Sequence, residues 1–578
     1  MKENADIPAD RRGRDKRPYR EPAMKENADI PADWPEKTTF GAWFRTLAAG
    51  AGDRAALVYR DPARTVTYRE LDLLSDAIAK SIIAMGIEKG THAALWAPNI
   101  QEWPAILLGC AKAGLPLLLV NTGFRSYDLE YCLNLADVGI LFLASGAGQP
   151  GEYISALYDA CPGLGDSQPG KISSQNLPHL RTVVQIDDGS HRGILPWTAF
   201  LGQGKQVART DLQARESSVR PEDRFTFFLS SGTTDRPKCI TWTHERFIGI
   251  TFTLADGFGF APGDVVCIPL PLFHILGCGI LLSALSSNCT VAPLERFNPQ
   301  EMLRTIETFR VTHIFGVPSM FVSVLNEYNR TRYNTASLRG GVVAGAASPP
   351  AVVRAVMDIL GAREFGICYG LSEVLATITR PSDPVECRTG SIGRPVRDTD
   401  IRIVHPLDGA DVRPGETGEL LIRSSWMTSG YYGKPGTIVA VTDDDGFLHT
   451  GDLGFVDGDG YYHIAGRSKD LIIRGGENIP PSEIEEFLLT HPAVMDAQVV
   501  GIKSEYYGEE PVAFVRTKPG QAVTALGLKQ FCRRSIAIEK VPSTFFFVDQ
   551  YPLTASRKVQ KFRLREMAAE LLSKQERW

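Results

Sequence analysis

The sequence predicts an α/β protein: a large, layered N-terminal domain of mixed or parallel sheets and helices, followed by a small α+β C-terminal domain. Three observations carry this expectation. Between Thr67 and Leu143, helical apolar spacing alternates with short apolar runs, the order that builds a layered and largely parallel sheet. After Ser482 the pattern changes to short β-prone runs interleaved with helices. The chain has 578 residues, enough for three or four compact units at about 150 residues each and too many for a lone binding module.

The elements follow in order. The first ten residues, MKENADIPAD, recur at 24–33 around a basic stretch. Residues 1–33, poor in large apolar side chains, read as a disordered extension or a duplicated start, with a basic targeting or nucleic-acid arm as the other reading. At Thr67, TYREL gives a capping residue and a returning Glu70, with Leu71, Leu74, Ile78, Ile82 and Met85 on one face and Gly86 closing the helix. Runs at 92–96 and 117–120, joined by a helix through Lys112, form a βαβ unit, and a helix and strand continue to Leu143. Residues 145–180, rich in Gly, Pro, Ser and Asp, predict a surface excursion rather than a core element. The uncharged stretch 267–285 is long enough to cross a membrane. Pro269, Pro271, His274, Gly277 and Gly279 interrupt it, so a buried strand running into a buried helix is expected, and no integral membrane segment. Near the C-terminus, Ser482 and Glu485 open a helix, strands follow at 497–500 and 512–515, and a further helix precedes a strand at 545–548. The Gly- and Asp-rich stretch 443–476 carries the domain boundary.

Composition narrows the function classes. Lys plus Arg number 62 against 67 Asp plus Glu, a formal net charge of -5, which argues against a nucleic-acid partner. Ten cysteines are scattered without a CxxC pair, against a disulfide framework or zinc ribbon and in favour of a reducing, cytoplasmic setting. The histidines form no HExxH or other metal spacing.

The most informative segment is FTFFLSSGTTDRPKCITW at 225–242. Small residues let backbone N–H groups approach phosphate oxygens, Ser230, Ser231, Thr233 and Thr234 add hydroxyls around Gly232, and Lys238 supplies charge. The bland alternative is a Ser/Thr turn between two strands. A Walker A loop fails, because Pro237 and Cys239 flank the lysine. A GxSxG hydrolase elbow at Gly370 fails at Val374.

LSSGTTDRPK resembles the signature of the AMP-forming acyl-CoA synthetases and adenylation domains, usually written SGTTGxPKG. The resemblance continues in order through CYGLSE at 368–373, GEL at 418–420, GYY at 430–432, HTGDLG at 449–454, AGRSKDLIIRGGENI at 465–479 and LTASRKVQK at 553–561. Asp235, Cys239 and Arg557 stand where the family pattern has glycine. The resemblance implies a large adenylate-forming domain at 34–468 and a small, mobile domain at 469–578 that carries the catalytic lysine. It implies attack of a substrate carboxylate on the α-phosphate of ATP with Mg²⁺, then displacement of AMP by the thiol of coenzyme A.

Residue by residue, the resemblance assigns Lys558 to bridging the carboxylate and α-phosphate. Two anions about 4 Å apart repel by about 4 kcal/mol at an effective dielectric near 20, so positive charge is required there. By its spacing alone Lys558 reads as a solvated lysine of the basic tail 557–565, and only the resemblance favours the catalytic role. Glu373 and Thr234 would hold Mg²⁺. Tyr369 would stack on adenine, with Gly345, Ala346 and Ala347 flat against the base and Gly370 and Ser372 beside it. Asp452 would take the ribose hydroxyls, Arg467 would form a second nucleotide clamp, Lys469 marks the hinge, and Gly475 and Gly476 would line the thiol's approach. His274 resembles a position near the acyl carboxylate; as a lone histidine in an apolar run it reads equally as a packed core side chain. Phe247, Ile248, Phe252, Leu254, Ile275 and Leu276 favour an uncharged acyl tail, hence a medium-chain, alicyclic or aromatic acid. With no carrier domain following Trp578, coenzyme A is the expected acceptor. A stand-alone adenylation enzyme loading a carrier protein is the alternative, a non-catalytic ATP- and acyl-binding protein ranks behind both, and a homodimer is left open.

Overall fold

The computed structural model describes residues 37–575 apart from 61, 147–150, 188, 231–236, 347, 407, 434–436, 475–476, 505–506 and 555–557. The N-terminal repeat and its basic stretch lie outside the described residues.

Among the described residues, two nine-stranded sheets dominate. The first runs Arg394–Pro395, Leu375–Ile378, Glu364–Gly370, Gly340–Ala344, His313–Gly316, Val265–Ile268, Thr290–Pro293, Ala55–Tyr59 and Arg64–Thr67 across its width. The second runs Ile438–Val439, Gly430–Tyr432, Cys239–Thr243, Arg224–Leu229, Leu117–Leu119, His92–Trp96, Val138–Leu143, Thr182–Gln185 and Leu195–Pro196. Neighbours in the middle of each are parallel, and antiparallel pairs lie toward the edges. Helices Phe40–Ala51, Tyr68–Ala84, Trp103–Ala113, His244–Phe258 and Ile275–Ser286 share one continuous apolar core with strands of both sheets. The Thr67–Glu70 capping box forms as expected, and Gly86 adopts the left-handed backbone, φ +69°, that ends the helix.

Stretch 267–285 is a buried strand end followed by the buried helix Ile275–Ser286. Among the described residues no helix is long and apolar enough to cross a membrane. The expectation of a mere surface excursion at 145–180 is corrected. Helix Glu152–Ala160 buries Tyr153, Ile154, Ala156, Leu157 and Ala160, and Tyr153 stacks on Trp96 with ring centroids 4.0 Å apart. Polar flanks hid an apolar face at helical spacing.

A four-stranded antiparallel sheet of Thr399–Val404, Gly418–Ser424, Leu448–Val456 and Tyr462–Arg467 leads to the last sheet. There the strands Val494–Ser504 and Gly508–Thr517 are longer than the apolar runs that announced them. Period-two alternation gives this sheet two covered faces. Val499, Ala513 and Val515 pack with helices Pro481–Leu489 and Ala525–Ser535. Val500, Val512 and Phe514 pack with Leu564 and Ala568 of the terminal helix Lys561–Gln575. Ser482, inside the first of these helices, donates its hydroxyl to the Ala465 carbonyl at 2.5 Å.

One charged cluster lies in the large core. Lys112, with a side chain 0% exposed, pairs with Asp72 and Asp76, and Arg45 joins Asp76 to Glu216. This ties together four helices, Phe40–Ala51, Tyr68–Ala84, Trp103–Ala113 and Arg209–Ser217. Removing one member of a buried ion network costs about 3–5 kcal/mol, because its partners stay buried and unpaired. Lys112→Met therefore lowers the thermal unfolding midpoint, read by circular dichroism, while the helical signal before the transition is retained.

Candidate active site

Strands Gly340–Ala344 and Glu364–Gly370 run parallel, with Ala344 opposite Cys368, so Gly345 and Tyr369 emerge at the same carboxyl edge. Ligands in open α/β sheets collect at such edges. Gly345 is left-handed, φ +81°. A Cβ there would stand 3.3 Å from Lys558 Cε, so glycine permits the lysine's close approach. Gly370 is equally constrained, since its Cβ would lie 2.6 Å from the Val374 carbonyl oxygen. Ala346 is exposed at this edge and its carbonyl accepts from the Ser348 hydroxyl; Ala347 lies outside the described residues.

After Gly370 the chain turns tightly, with Leu371 and Val374 exchanging backbone hydrogen bonds. The Trp242 indole donates to the Ser372 carbonyl at 3.3 Å. Thr428 N–H donates to the Glu373 carbonyl at 2.8 Å. Glu373 thus has a fixed backbone, and its Oε1 accepts from the Tyr431 hydroxyl at 2.8 Å.

The stem of the phosphate-loop candidate is closed by two bonds: Ser230 N–H to the Lys238 carbonyl, 2.9 Å, and Lys238 N–H to Ser230 Oγ, 2.9 Å. The Lys238 ammonium lies 4.8 Å from the Tyr431 ring centre. Ser231, Gly232, Thr233 and Thr234, together with Asp235 and Arg236, lie outside the described residues.

Asp452 and Arg467 face each other across adjacent strands. Arg467 Nε donates to Asp452 Oδ1 at 2.7 Å, and the Tyr369 hydroxyl donates to Oδ2 at 2.7 Å. Asp452 is only 3% exposed, and each of its oxygens accepts a directional hydrogen bond, as a buried polar group requires. Burial, reinforced by that carboxylate, raises the Tyr369 hydroxyl well above its usual range. Burial works against the Arg467 charge, and Asp452 outweighs it and raises the guanidinium pKa.

Lys558 is presented by a tight hairpin. Its N–H donates to Thr554 Oγ1 at 3.0 Å, and Thr554 N–H donates to its carbonyl at 2.8 Å. Burial first, and the Arg467 charge second, lower the Lys558 pKa, with Asp452 opposing them. His274, at the start of helix Ile275–Ser286, is driven down to about 3 by burial, with the Lys558 charge adding to it. It is therefore neutral near pH 7, and its buried Nε2 has no hydrogen-bond partner among the described residues.

The structure thus brings together Lys558, Gly345, His274, Tyr369, Asp452 and Arg467, with Glu373, Tyr431, Lys238 and Ser230 forming a second linked group. Lys469 falls in the short turn Ser468–Asp470; Gly475 and Gly476 lie outside the described residues. Of the apolar residues expected to greet an acyl tail, Phe247 instead packs against Phe225, Phe228 and Trp242. Ile248 and Leu254 are likewise spent in the core, whereas Phe252, Ile275 and Leu276 stay partly exposed. Tyr431 carries no individual role in the sequence reading, which takes GYY only as a motif. The signal was there in strand alternation, which turns two adjacent tyrosines to opposite faces.

Among the described residues no three His, Cys, Asp or Glu side chains gather to form an all-protein metal cage. A single carboxylate suits Mg²⁺, which takes its remaining ligands from phosphate and water.

Comparison with known proteins agrees. The profile described as "AMP-binding enzyme" matches residues 44–432, and "AMP-binding enzyme C-terminal domain" matches 483–558. YngI of Bacillus subtilis (strain 168), provisionally named an acyl-CoA synthetase, is 36% identical over 539 residues, covering 93% of this chain and 98% of its own. The mitochondrial medium-chain acyl-CoA ligase ACSF2 of Mus musculus is 34% identical, covering 93% of this chain and 88% of its own. The crystal structure of the anthranilate CoA ligase AuaEII with anthranoyl-AMP superposes with a TM-score of 0.80 at 26% identity, covering 94% of this chain and 99% of that one. With a signature loop, a half-buried lysine beside a carboxylate-anchored tyrosine and arginine, and these matches along nearly its whole length, the chain belongs to the AMP-forming acyl-CoA synthetases of the AMP-binding enzyme family.

Proposed function

We propose that this acid–thiol ligase activates an apolar carboxylic acid, medium-chain, alicyclic or aromatic, and passes it to coenzyme A. The substrate carboxylate attacks the α-phosphorus of ATP, giving acyl-AMP and pyrophosphate; the coenzyme A thiolate then attacks the acyl carbon and AMP leaves. The observation that carries the reading is the Lys558 ammonium held over Gly345, beside neutral His274 and the Asp452–Arg467 pair. In this reading Lys558 offsets the repulsion between carboxylate and α-phosphate with a fixed charge already in place. His274 lies near the acyl carboxylate with a free ring nitrogen. Asp452 takes the ribose hydroxyls, Arg467 clamps the nucleotide, and Tyr369 with the Gly345 segment sandwiches the base. Mg²⁺, when bound, neutralises phosphate charge; Glu373 and Thr234 would hold it.

For the second half-reaction the proposal places a hinge at Lys469, with 34–468 and 469–578 as the two domains. The small domain turns, Lys558 leaves, and the Gly475–Gly476 loop lines the thiol's path. The separate two-faced core of the last sheet supports this, because a lobe that buries its own apolar surface can move without unfolding. Phe252, Ile275 and Leu276, together with relatives named for a medium-chain acid and for anthranilate, support the apolar substrate. The proposal includes a reducing cytoplasm, in which the ten free cysteines stay thiols. It extends to a homodimer, which sedimentation velocity tests.

Incubation with ATP, Mg²⁺, coenzyme A and a panel of acids yields AMP and pyrophosphate with uncharged tails, and little with dicarboxylates or amino acids; ADP as product contradicts the reading. Lys558→Ala reduces acyl-AMP formation by about 100-fold or more while thioester formation from supplied acyl-AMP is much less affected. Equal loss in both steps contradicts the hinge.

The pH dependence has a definite sign. The cationic form of Lys558 is lost as pH rises through its pKa, which Asp452 holds up and Arg467 pushes down. Asp452→Asn therefore moves the alkaline limb of ATP–pyrophosphate exchange to lower pH, and Arg467→Met moves it to higher pH.

A further inference from the structure

Tyr431 belongs to both halves of the phosphate end. It lies on strand Gly430–Tyr432, antiparallel to Cys239–Thr243, with Tyr431 opposite Ile240 and Tyr432 opposite Cys239. In that register Lys238 is the diagonal same-face neighbour of Tyr431, within reach of a long side chain, and its ammonium sits 4.8 Å from the ring centre. The hydroxyl of the same ring donates to Glu373 Oε1 at 2.8 Å. Without the ring, a lysine and a glutamate that both meet one tyrosine are free to pair with each other, and a carboxylate so occupied is a poor ligand for a divalent cation. Here the ammonium meets the ring's electron-rich face while the carboxylate meets its hydroxyl. Thr428 strengthens the arrangement: its N–H holds the Glu373 carbonyl, and its hydroxyl donates to the Thr241 carbonyl at 2.7 Å. Tyr432, the next residue, faces the other way, buried against His92 and Phe227, with its hydroxyl on Asp137 at 2.7 Å.

We propose that Tyr431 is a positioning residue for the divalent cation. Its hydroxyl fixes one oxygen of Glu373 so that the other is presented to Mg²⁺, and its ring keeps Lys238 from neutralising that carboxylate before the triphosphate arrives. The proposal rests on the MgATP reading above and adds to it a residue that touches neither nucleotide nor metal.

Calorimetric titration of the full chain with ATP, once with Mg²⁺ and once with EDTA, and without any carboxylic acid, isolates the gain in affinity that Mg²⁺ confers. Tyr431→Phe keeps the ring and removes the hydroxyl, and cuts this gain about tenfold, the scale of one hydrogen bond to a charged group. Tyr431→Leu removes the ring as well and loses more, because Lys238 is released onto Glu373. Adding Lys238→Met to Tyr431→Leu restores part of the gain. Tyr432→Phe lowers the melting temperature and leaves the gain at the wild-type value. An undiminished gain in Tyr431→Phe overturns the proposal, and so does an equal loss in Tyr432→Phe, which would mark a displaced strand. Absence of any Mg²⁺ gain in the wild type overturns the MgATP reading itself, and Tyr431's part with it.

Discussion

A lysine ammonium is held half-buried beside an arginine, and one carboxylate offsets both penalties. Burial and Arg467 both lower the Lys558 pKa, as desolvation and a like charge do. Asp452 opposes them while accepting from Arg467 and Tyr369. Arg467, Asp452 and Tyr369 are thereby linked into one group beside the lysine. Their geometry follows from a cross-strand pairing of Asp452 with Arg467 and from the end of a parallel strand at Tyr369.

The fold supplies this by bringing different layers to one edge. The first large sheet contributes Gly345 and the tyrosine turn, the second contributes the Ser230–Lys238 stem and the Glu373-bound Tyr431, and the four-stranded sheet contributes Asp452 and Arg467. No single element contains the chemistry. Glycines at 345 and 370 are required where backbone and side chains crowd, and the Trp242 and Thr428 contacts to the carbonyls of Ser372 and Glu373 lock the intervening turn. Such preorganisation of charge, rather than any one reactive group, is what phosphate and acyl transfer of this kind require.

Much of this was legible in the residues themselves. The capping box at Thr67, the βαβ unit and the interrupted apolar stretch at 267–285 are local patterns, and they folded as local patterns predict. The helix at Glu152–Ala160 was not, because polar neighbours on both sides masked its buried face. Phe247 looked like a pocket residue from its place on an apolar helix, yet neighbouring aromatics from two strands claim it; periodicity tells which side is apolar, never what lies against it. Tyr431 escaped for the same reason, since a register between strands nearly two hundred positions apart is a tertiary fact. The ordered motifs marked where the site residues lie in the chain, and only the sheets reveal which of them share an edge.

Leu564 and Ala568 of the terminal helix close the apolar layer on one face of the small sheet, immediately downstream of the hairpin that carries Lys558. A protein trimmed after Lys561, by protease or by design, would retain every recognisable motif and still lose the platform on which its lysine is mounted. Affinity tags and fluorescent fusions at the carboxyl end thus need a spacer that lets this helix close, and shortening the tail is a route to inactive protein that motif inspection would not foresee.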